Sequence, residues 1–167
     1  MNIYLIGMPG SGKSTLGQRL AERLKMPFID LDHYIEEKSL LYIDEFFQMY
    51  GENKFREIET QSLKEVMDKE AVIATGGGIV MKKENKALMN GLVIYIDTPI
   101  EVIEKRLKSS YQRPLLEQTT LETLYDIRFL KYQGFANKIV ANHEEIKKAV
   151  DRLEAVVNEW RNKWKSQ

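Results

Sequence analysis

Residues Gly7-Met8-Pro9-Gly10-Ser11-Gly12-Lys13-Ser14 fill every fixed position of the pattern G-x-x-x-x-G-K-[S/T]. This phosphate-cradling loop (P-loop) constrains the fold, because its chemistry needs a strand that delivers it and a helix that receives it. Both are in place. Ile3-Tyr4-Leu5-Ile6 is a short apolar run of the kind a buried strand requires. Leu16, Leu20 and Leu24 recur at helical spacing, with Arg19, Glu22 and Arg23 between them. Glycines let the loop bend until successive N–H groups point at a phosphate chain, and the helix N-terminus adds partial positive charge there. Gly10, Ser11, Gly12, Lys13, Ser14 and Thr15 are therefore the candidate nucleotide-binding residues. Lys13 can reach the β- and γ-phosphates, and the Ser14 hydroxyl can ligate Mg²⁺. The alternative is a glycine turn that only joins strand to helix.

The rest of the chain repeats this strand-then-helix alternation. Strands are expected at Ile3–Ile6, Phe28–Leu31, Ala71–Thr75, Leu92–Ile96 and Lys138–Ala141, all short and apolar, as strands covered on both faces should be. Helices are expected at Thr15–Leu24, Tyr34–Lys38, Tyr42–Tyr50, Glu52–Asp68, Lys83–Asn90, Pro99–Lys108, Leu121–Phe135 and Glu144–Trp164. Asn142 is a candidate N-cap for the last helix, and Thr98-Pro99 a candidate N-cap and first-turn pair. The pattern predicts an α/β fold: a five-stranded parallel sheet between two helical layers, in one domain spanning residues 1–167. Ligands of such sheets bind at the carboxyl ends of the strands. The P-loop, Asp30/Asp32 and Gly76–Gly78 all follow strand ends, so they should share one rim. Ser109–Thr120 is polar and aperiodic, longer than an ordinary connection, and reads as a mobile lid or a plain exposed loop.

Bulk properties narrow the function classes. Lys+Arg and Asp+Glu number 25 each, so no net field points to nucleic acid or an anionic membrane. With no cysteine, disulfides, Cys-ligated zinc and a Cys nucleophile are excluded, which fits a cytoplasmic protein. No apolar run near the N-terminus is long enough to span a bilayer.

Phosphoryl transfer needs positioning, a metal and positive charge more than covalent chemistry. Asp30-Leu31-Asp32 closes the second strand, and an i, i+2 pair on a strand leaves one face. One carboxylate can then serve the metal and the other the acceptor hydroxyl; alternatively, Asp32 only caps the helix near Tyr34. Arg56 and Glu59 can pair on a helix face, a pattern that by itself describes a surface ion pair. Three consecutive glycines, Gly76–Gly78, cost chain entropy and suit a close approach of ligand to backbone. Arg128 and Tyr132 are i, i+4 and alone mark only a helix face.

Taken in order, these motifs resemble the shikimate kinase family. The resemblance runs from the P-loop to about Ala136. It rests on Gly7–Ser14, Asp30/Asp32, Phe55-Arg56-Glu57-Ile58-Glu59, Gly76–Gly78, Arg113-Pro114-Leu115-Leu116 and Arg128/Tyr132. It implies transfer of a phosphoryl group from ATP to the 3-hydroxyl of shikimate, with Mg²⁺, in aromatic amino-acid biosynthesis. It implies further that Asp30 helps hold the metal and Asp32 binds the acceptor and is the candidate base. Arg56 and Arg128 would bind the shikimate carboxylate, Gly76, Gly77 and Gly78 would offer N–H groups to the substrate, and Glu59 would fix Arg56. Arg113, in a lid at about 109–120, would reach the phosphates; Arg106 would stack on adenine. The acceptor region would be the helical stretch at about 32–61, and the enzyme a monomer with no nucleic-acid or membrane partner. The chain departs from the family after the last strand: Val140-Ala141-Asn142-His143-Glu144-Glu145 stands where the family shows Asp or Thr followed by basic residues.

Three rivals remain, of which a degenerate kinase fold kept for interaction is opposed by the intact Lys13, Ser14, Asp30, Asp32 and Arg113. A gluconate- or nucleotide-kinase-like enzyme would share the architecture but has no need for two carboxylate-binding arginines. A P-loop switch protein would need a base-recognition sequence of the N-K-x-D kind, which the chain lacks.

Overall fold

In the computed structural model of the chain, residues 1–108 and 119–167 are described. The five strands are β1 (Asn2–Ile6), β2 (Phe28–Asp30), β3 (Val72–Ala74), β4 (Gly91–Asp97) and β5 (Lys138–Ala141). All pair in parallel in one sheet, ordered β2-β3-β1-β4-β5. The register sets Ile3 beside both Val72 and Leu92, and Leu5 beside both Ala74 and Ile94. The helices are α1 (Lys13–Leu24), α2 (Leu31–Ser39), α3 (Ile43–Glu65), α4 (Glu84–Leu88), α5 (Ile100–Lys108), α6 (Leu121–Phe135) and α7 (Ile146–Lys165), with a 3₁₀ turn at Ile79–Met81.

The pleat divides the central strand between two cores. Ile3 and Leu5 face Leu16 and Leu20 of α1 and Val150, Leu153 and Val157 of α7. Tyr4 and Ile6 face the other way, toward Ile35 of α2, Phe55 and Leu63 of α3, and Tyr132 of α6. Ile3, Tyr4, Leu5 and Ile6 are all fully buried, which is why β1 reads as a continuous apolar run rather than an alternation. Each such side chain contributes about 1.5–3 kcal/mol relative to exposure. The three-layer α/β/α architecture expected from the sequence is thus present. The loop after β1 emerges between β3 and β4, where the chain switches from building one side of the sheet to the other. Parallel sheets open a crevice at that point.

Several boundaries differ from the sequence reading. The expected helices Tyr42–Tyr50 and Glu52–Asp68 are the two arms of α3, kinked at Gly51 (φ 82°, ψ 173°). Glycine permits this conformation where other residues are strained. Leu31 begins α2 rather than ending β2. The helix expected over Lys83–Asn90 is only the short α4, Glu84–Leu88. Helix α7 starts after Glu145, so Asn142 is not its cap. Helix α5 starts at Ile100, and the Thr98 hydroxyl donates to Ser11 O at 2.8 Å instead. Of the lid expected at 109–120, only Thr119 and Thr120 are described; Thr120 caps α6, accepting from Thr123 N–H at 3.1 Å. Arg113 lies outside the described residues. Among the described residues, no helix is long and apolar enough to cross a membrane.

Candidate active site

The strand ends bring most of the nominated residues to one cleft of about 660 Å³, lined by Gly10–Thr15, Asp30, Asp32, Gly76, Gly77 and Arg106 among others; Gly78, Arg56 and Arg128 are not part of that lining. On the loop side, Gly10 (φ 76°) and Gly12 (φ 98°) hold left-handed conformations that a side chain would strain. The Lys13 ammonium donates to Gly7 O at 2.7 Å and Met8 O at 2.8 Å, so its charge is held within the loop. Arg106 reaches over from α5 and donates to Gly10 O at 3.1 Å. Gly12 has no room for a side chain: a Cβ there would lie 2.9 Å from Asn142 Nδ2 and 3.2 Å from Arg106 Nη1.

Asp30 and Asp32 do not leave one strand face as their spacing suggests. Asp30 ends β2, while Asp32 sits in the first turn of α2. Asp30, not Asp32, is the helix cap: its Oδ1 accepts from His33 N–H at 3.2 Å. Its other oxygen accepts from the Ser14 hydroxyl at 2.5 Å. One hard carboxylate oxygen and one hydroxyl in contact at the cleft fit Mg²⁺, which takes few protein ligands and fills its octahedron with water and phosphate oxygens. Among the described residues, no cluster of three or more acidic or histidine side chains offers a fuller protein cage.

The glycine triplet has a structural reason that its sequence did not show. A Cβ on Gly76 would lie 2.8 Å from Asp32 Oδ1 and 2.9 Å from Glu59 Oε2. On Gly77 it would lie 2.7 Å from Pro9 Cδ of the P-loop, and on Gly78 it would overlap the Arg56 guanidinium. Glycine here allows the P-loop, Asp32, Glu59 and Arg56 to close around one segment of backbone.

The Arg56–Glu59 pair is buried, contrary to the surface ion pair its pattern alone describes. Arg56 donates to Glu59 Oε1 at 2.9 Å and to the half-exposed Glu52 at 3.4 Å, and lies 5.3 Å from the Phe55 ring centroid. Glu59 is fully buried. Burial pushes its carboxyl pKa above the ordinary value, against the pull of Arg56 and then Arg128. Arg128, on α6, is 2% exposed. One turn on, Tyr132 donates its hydroxyl to Gly77 O at 2.5 Å and stacks on Tyr95 with ring centroids 5.0 Å apart. Burial pushes the Tyr132 pKa up to about 12, which keeps it a proton donor. Sequence reasoning gave Tyr132 no role; its i, i+4 offset from Arg128 was the available signal. The Nε atoms of Arg56 and Arg128 and Oε2 of Glu59 are buried without a hydrogen-bond partner. Arg56 is thus paired with buried Glu59 and half-exposed Glu52, while Arg128 bears on Glu59 through its charge. A buried guanidinium without a carboxylate against it is costly unless an anion joins it, and a planar guanidinium fork suits a carboxylate.

The sequence profile of the family described as "Shikimate kinase" matches residues 9–160. The chain belongs to the shikimate kinase family. A shikimate kinase of Clostridium botulinum (strain Alaska E43 / Type E3) is 41% identical over 160 residues, covering 93% of this chain and 96% of the relative. Among solved structures, the shikimate kinase from Acinetobacter baumannii in complex with shikimate superposes with a TM-score of 0.87 at 35% identity, over 95% of this chain and 93% of that one. The shikimate kinase from Bacteroides thetaiotaomicron gives 0.85 at 33% identity, over 95% and 98%. The protein is therefore an enzyme of the shikimate kinase kind, in a family that uses ATP as co-substrate, rather than a gluconate-type kinase or a nucleotide switch.

Proposed function

We propose that the cleft holds ATP on Gly10–Thr15 and Arg106, and shikimate between Asp32, Gly76–Gly78 and the Arg56/Arg128 pair. The observation that carries this reading is the buried pair of guanidiniums around Glu59, beside the same glycines that pack on the P-loop. A carboxylate is the group such a pair lacks. Glu59 and Tyr132 act through others, Glu59 by orienting Arg56 and Tyr132 by holding the Gly77 carbonyl.

In the reaction, a lone pair of the shikimate 3-hydroxyl oxygen forms a bond to the γ-phosphorus. The bond from that phosphorus to the β,γ-bridging oxygen breaks, and its electron pair leaves with ADP. The hydroxyl proton passes to the Asp32 carboxylate. Lys13 and Arg113 offset the charge that spreads over the transferred group; Arg113 is assigned on sequence alone. Mg²⁺, on Ser14 and Asp30, would supply charge neutralisation at the phosphates. Arg106, already over the loop, is the candidate stacking partner for adenine. The working unit is a single domain, acting as a cytoplasmic monomer without nucleic-acid or membrane partners.

ADP release should be followed with ATP and Mg²⁺ alone, and with shikimate, gluconate or a nucleoside monophosphate added. Shikimate should raise the rate far above the acceptor-free background. Equal stimulation by gluconate would refute the assignment of the acceptor.

A further inference from the structure

Thr98 and Asn142 resemble helix caps in sequence, but their side chains converge on the P-loop. Thr98 follows β4 and Asn142 follows β5, and each is only 3% exposed. The Thr98 hydroxyl donates to Ser11 O at 2.8 Å, and Asn142 Nδ2 donates to the same oxygen at 2.9 Å. A carbonyl oxygen has two lone pairs, so this one carbonyl is held from two strand ends at once. Asn142 keeps this bond although its own Oδ1 is buried without a hydrogen-bond partner.

The consequence follows from peptide geometry. A trans peptide sets its N–H antiparallel to its C=O. Holding Ser11 O toward Thr98 and Asn142, behind the loop, therefore turns Gly12 N–H the other way, toward the cleft that Ser11 and Gly12 line. Nothing in Gly12 itself fixes that choice. Glycine accepts either sign of φ, so the Ser11–Gly12 peptide could flip at little local cost. A flip would aim a carbonyl oxygen, rather than an N–H, at the phosphates.

We propose that Thr98 and Asn142 are positioning residues that lock the Ser11–Gly12 peptide with its N–H aimed at the nucleotide's phosphate chain. The proposal rests on the reading of the loop as the ATP site. It makes affinity for the polyphosphate, and not for the base or the acceptor, depend on two side chains outside the loop motif.

The test compares Thr98→Val, which removes the hydroxyl at constant shape, with Asn142→Ala. ADP and shikimate binding are measured by calorimetry, and tripolyphosphate as an inhibitor competing with ATP reports the phosphates without a base. Each variant should weaken ADP about threefold to tenfold, the range for one lost hydrogen bond. Tripolyphosphate should weaken by the same factor, while shikimate binding holds and Tm falls by only about 2–5 °C. Thr98→Ser, which keeps the donor, should restore ADP binding. ADP affinity within twofold of wild type in both variants would overturn the proposal. So would weaker ADP with unchanged tripolyphosphate, since Asn142 would then act on the base or ribose. Wild-type protein that binds shikimate but neither ADP nor ATP would refute the underlying nucleotide reading, a separate failure.

Discussion

Arg56→Ala tests the acceptor site at its most buried point. The substitution removes one of two guanidiniums and leaves Glu59, fully buried, without its 2.9 Å partner. Two losses follow. The first is in binding: truncating one side of a desolvated, charge-assisted contact costs about 2–5 kcal/mol. At about 3 kcal/mol, the shikimate Kd rises on the order of 100-fold. ADP binding should not change, because no P-loop contact is touched. The second loss is in stability and has a ceiling. Breaking a buried pair costs about 3–5 kcal/mol when the remaining charge stays buried. Glu59 can escape by taking a proton, and moving a carboxyl from its ordinary pKa of 4.5 past pH 7 costs about 3.4 kcal/mol. The deficit therefore stops near that figure, within the stability of a domain this size. Its pH dependence has a fixed sign. Losing Arg56 removes the largest pull that lowers the Glu59 pKa, so that pKa rises further above its unfolded value than in the wild type; the folded variant binds the proton first, and its deficit grows as pH rises above about 4.5. The variant should consequently approach wild type as pH is lowered from 7 toward 5, measured by urea denaturation at each pH. A shikimate Kd within threefold of wild type, with ADP weakened instead, would show that the site has been mapped wrongly.

Other substitutions separate the remaining roles. Asp32→Asn keeps the shape and removes the charge, and should lower kcat by about 10²–10⁴ with ADP affinity unchanged; an unchanged kcat would remove Asp32 as the base. Gly78→Ala places a methyl on the Arg56 guanidinium, and should weaken shikimate in calorimetry without affecting ADP. Normal shikimate binding would mean that Arg56 can move aside without loss. Arg113→Ala should bind shikimate almost normally yet lose about 10³–10⁵ in kcat, as arginines in this role do elsewhere. Arg113→Lys should recover only part, since a point charge cannot reproduce the fork. Stopped-flow single-turnover rates that match wild type would exclude a role for Arg113 in the chemical step.

Much of this was written in local sequence. The P-loop and the five apolar runs are short-range signals. The three central strands β1, β3 and β4 are buried on both faces and have little freedom in composition. The edge strands β2 and β5 are only partly covered, Ile139 being half-exposed, contrary to the expectation for all five. Gly51 was visible as a break, and it is the kink in α3. What local sequence could not carry was convergence. Thr98 and Asn142 both look like caps because cap propensity is a local rule, yet each is claimed by Ser11, 87 and 131 residues away in sequence. The cap that the sequence allowed at Asp32 is made by Asp30, because the strand ended one residue early. The burial of Glu59 was equally hidden, since an i, i+3 pair reads the same on either face of a helix. Gly76–Gly78 suggested a ligand against backbone, and the side chains already there are Asp32, Glu59 and Arg56. Of the C-terminal tryptophans, Trp160 packs against the core while Trp164 is 62% exposed. Neither outcome follows from their shared helical spacing.

The claim most worth testing is that the Arg56/Arg128 pair reads a carboxylate. The carboxamide of shikimate keeps the shape of the acid and removes its charge. Steady-state kinetics should be run with both compounds on the wild-type enzyme and on Arg56→Ala. The wild type should prefer the acid in kcat/KM by on the order of 100-fold, the worth of one desolvated charged contact. In Arg56→Ala that preference should largely collapse. A wild-type enzyme that phosphorylates the carboxamide as well as the acid would contradict the carboxylate site.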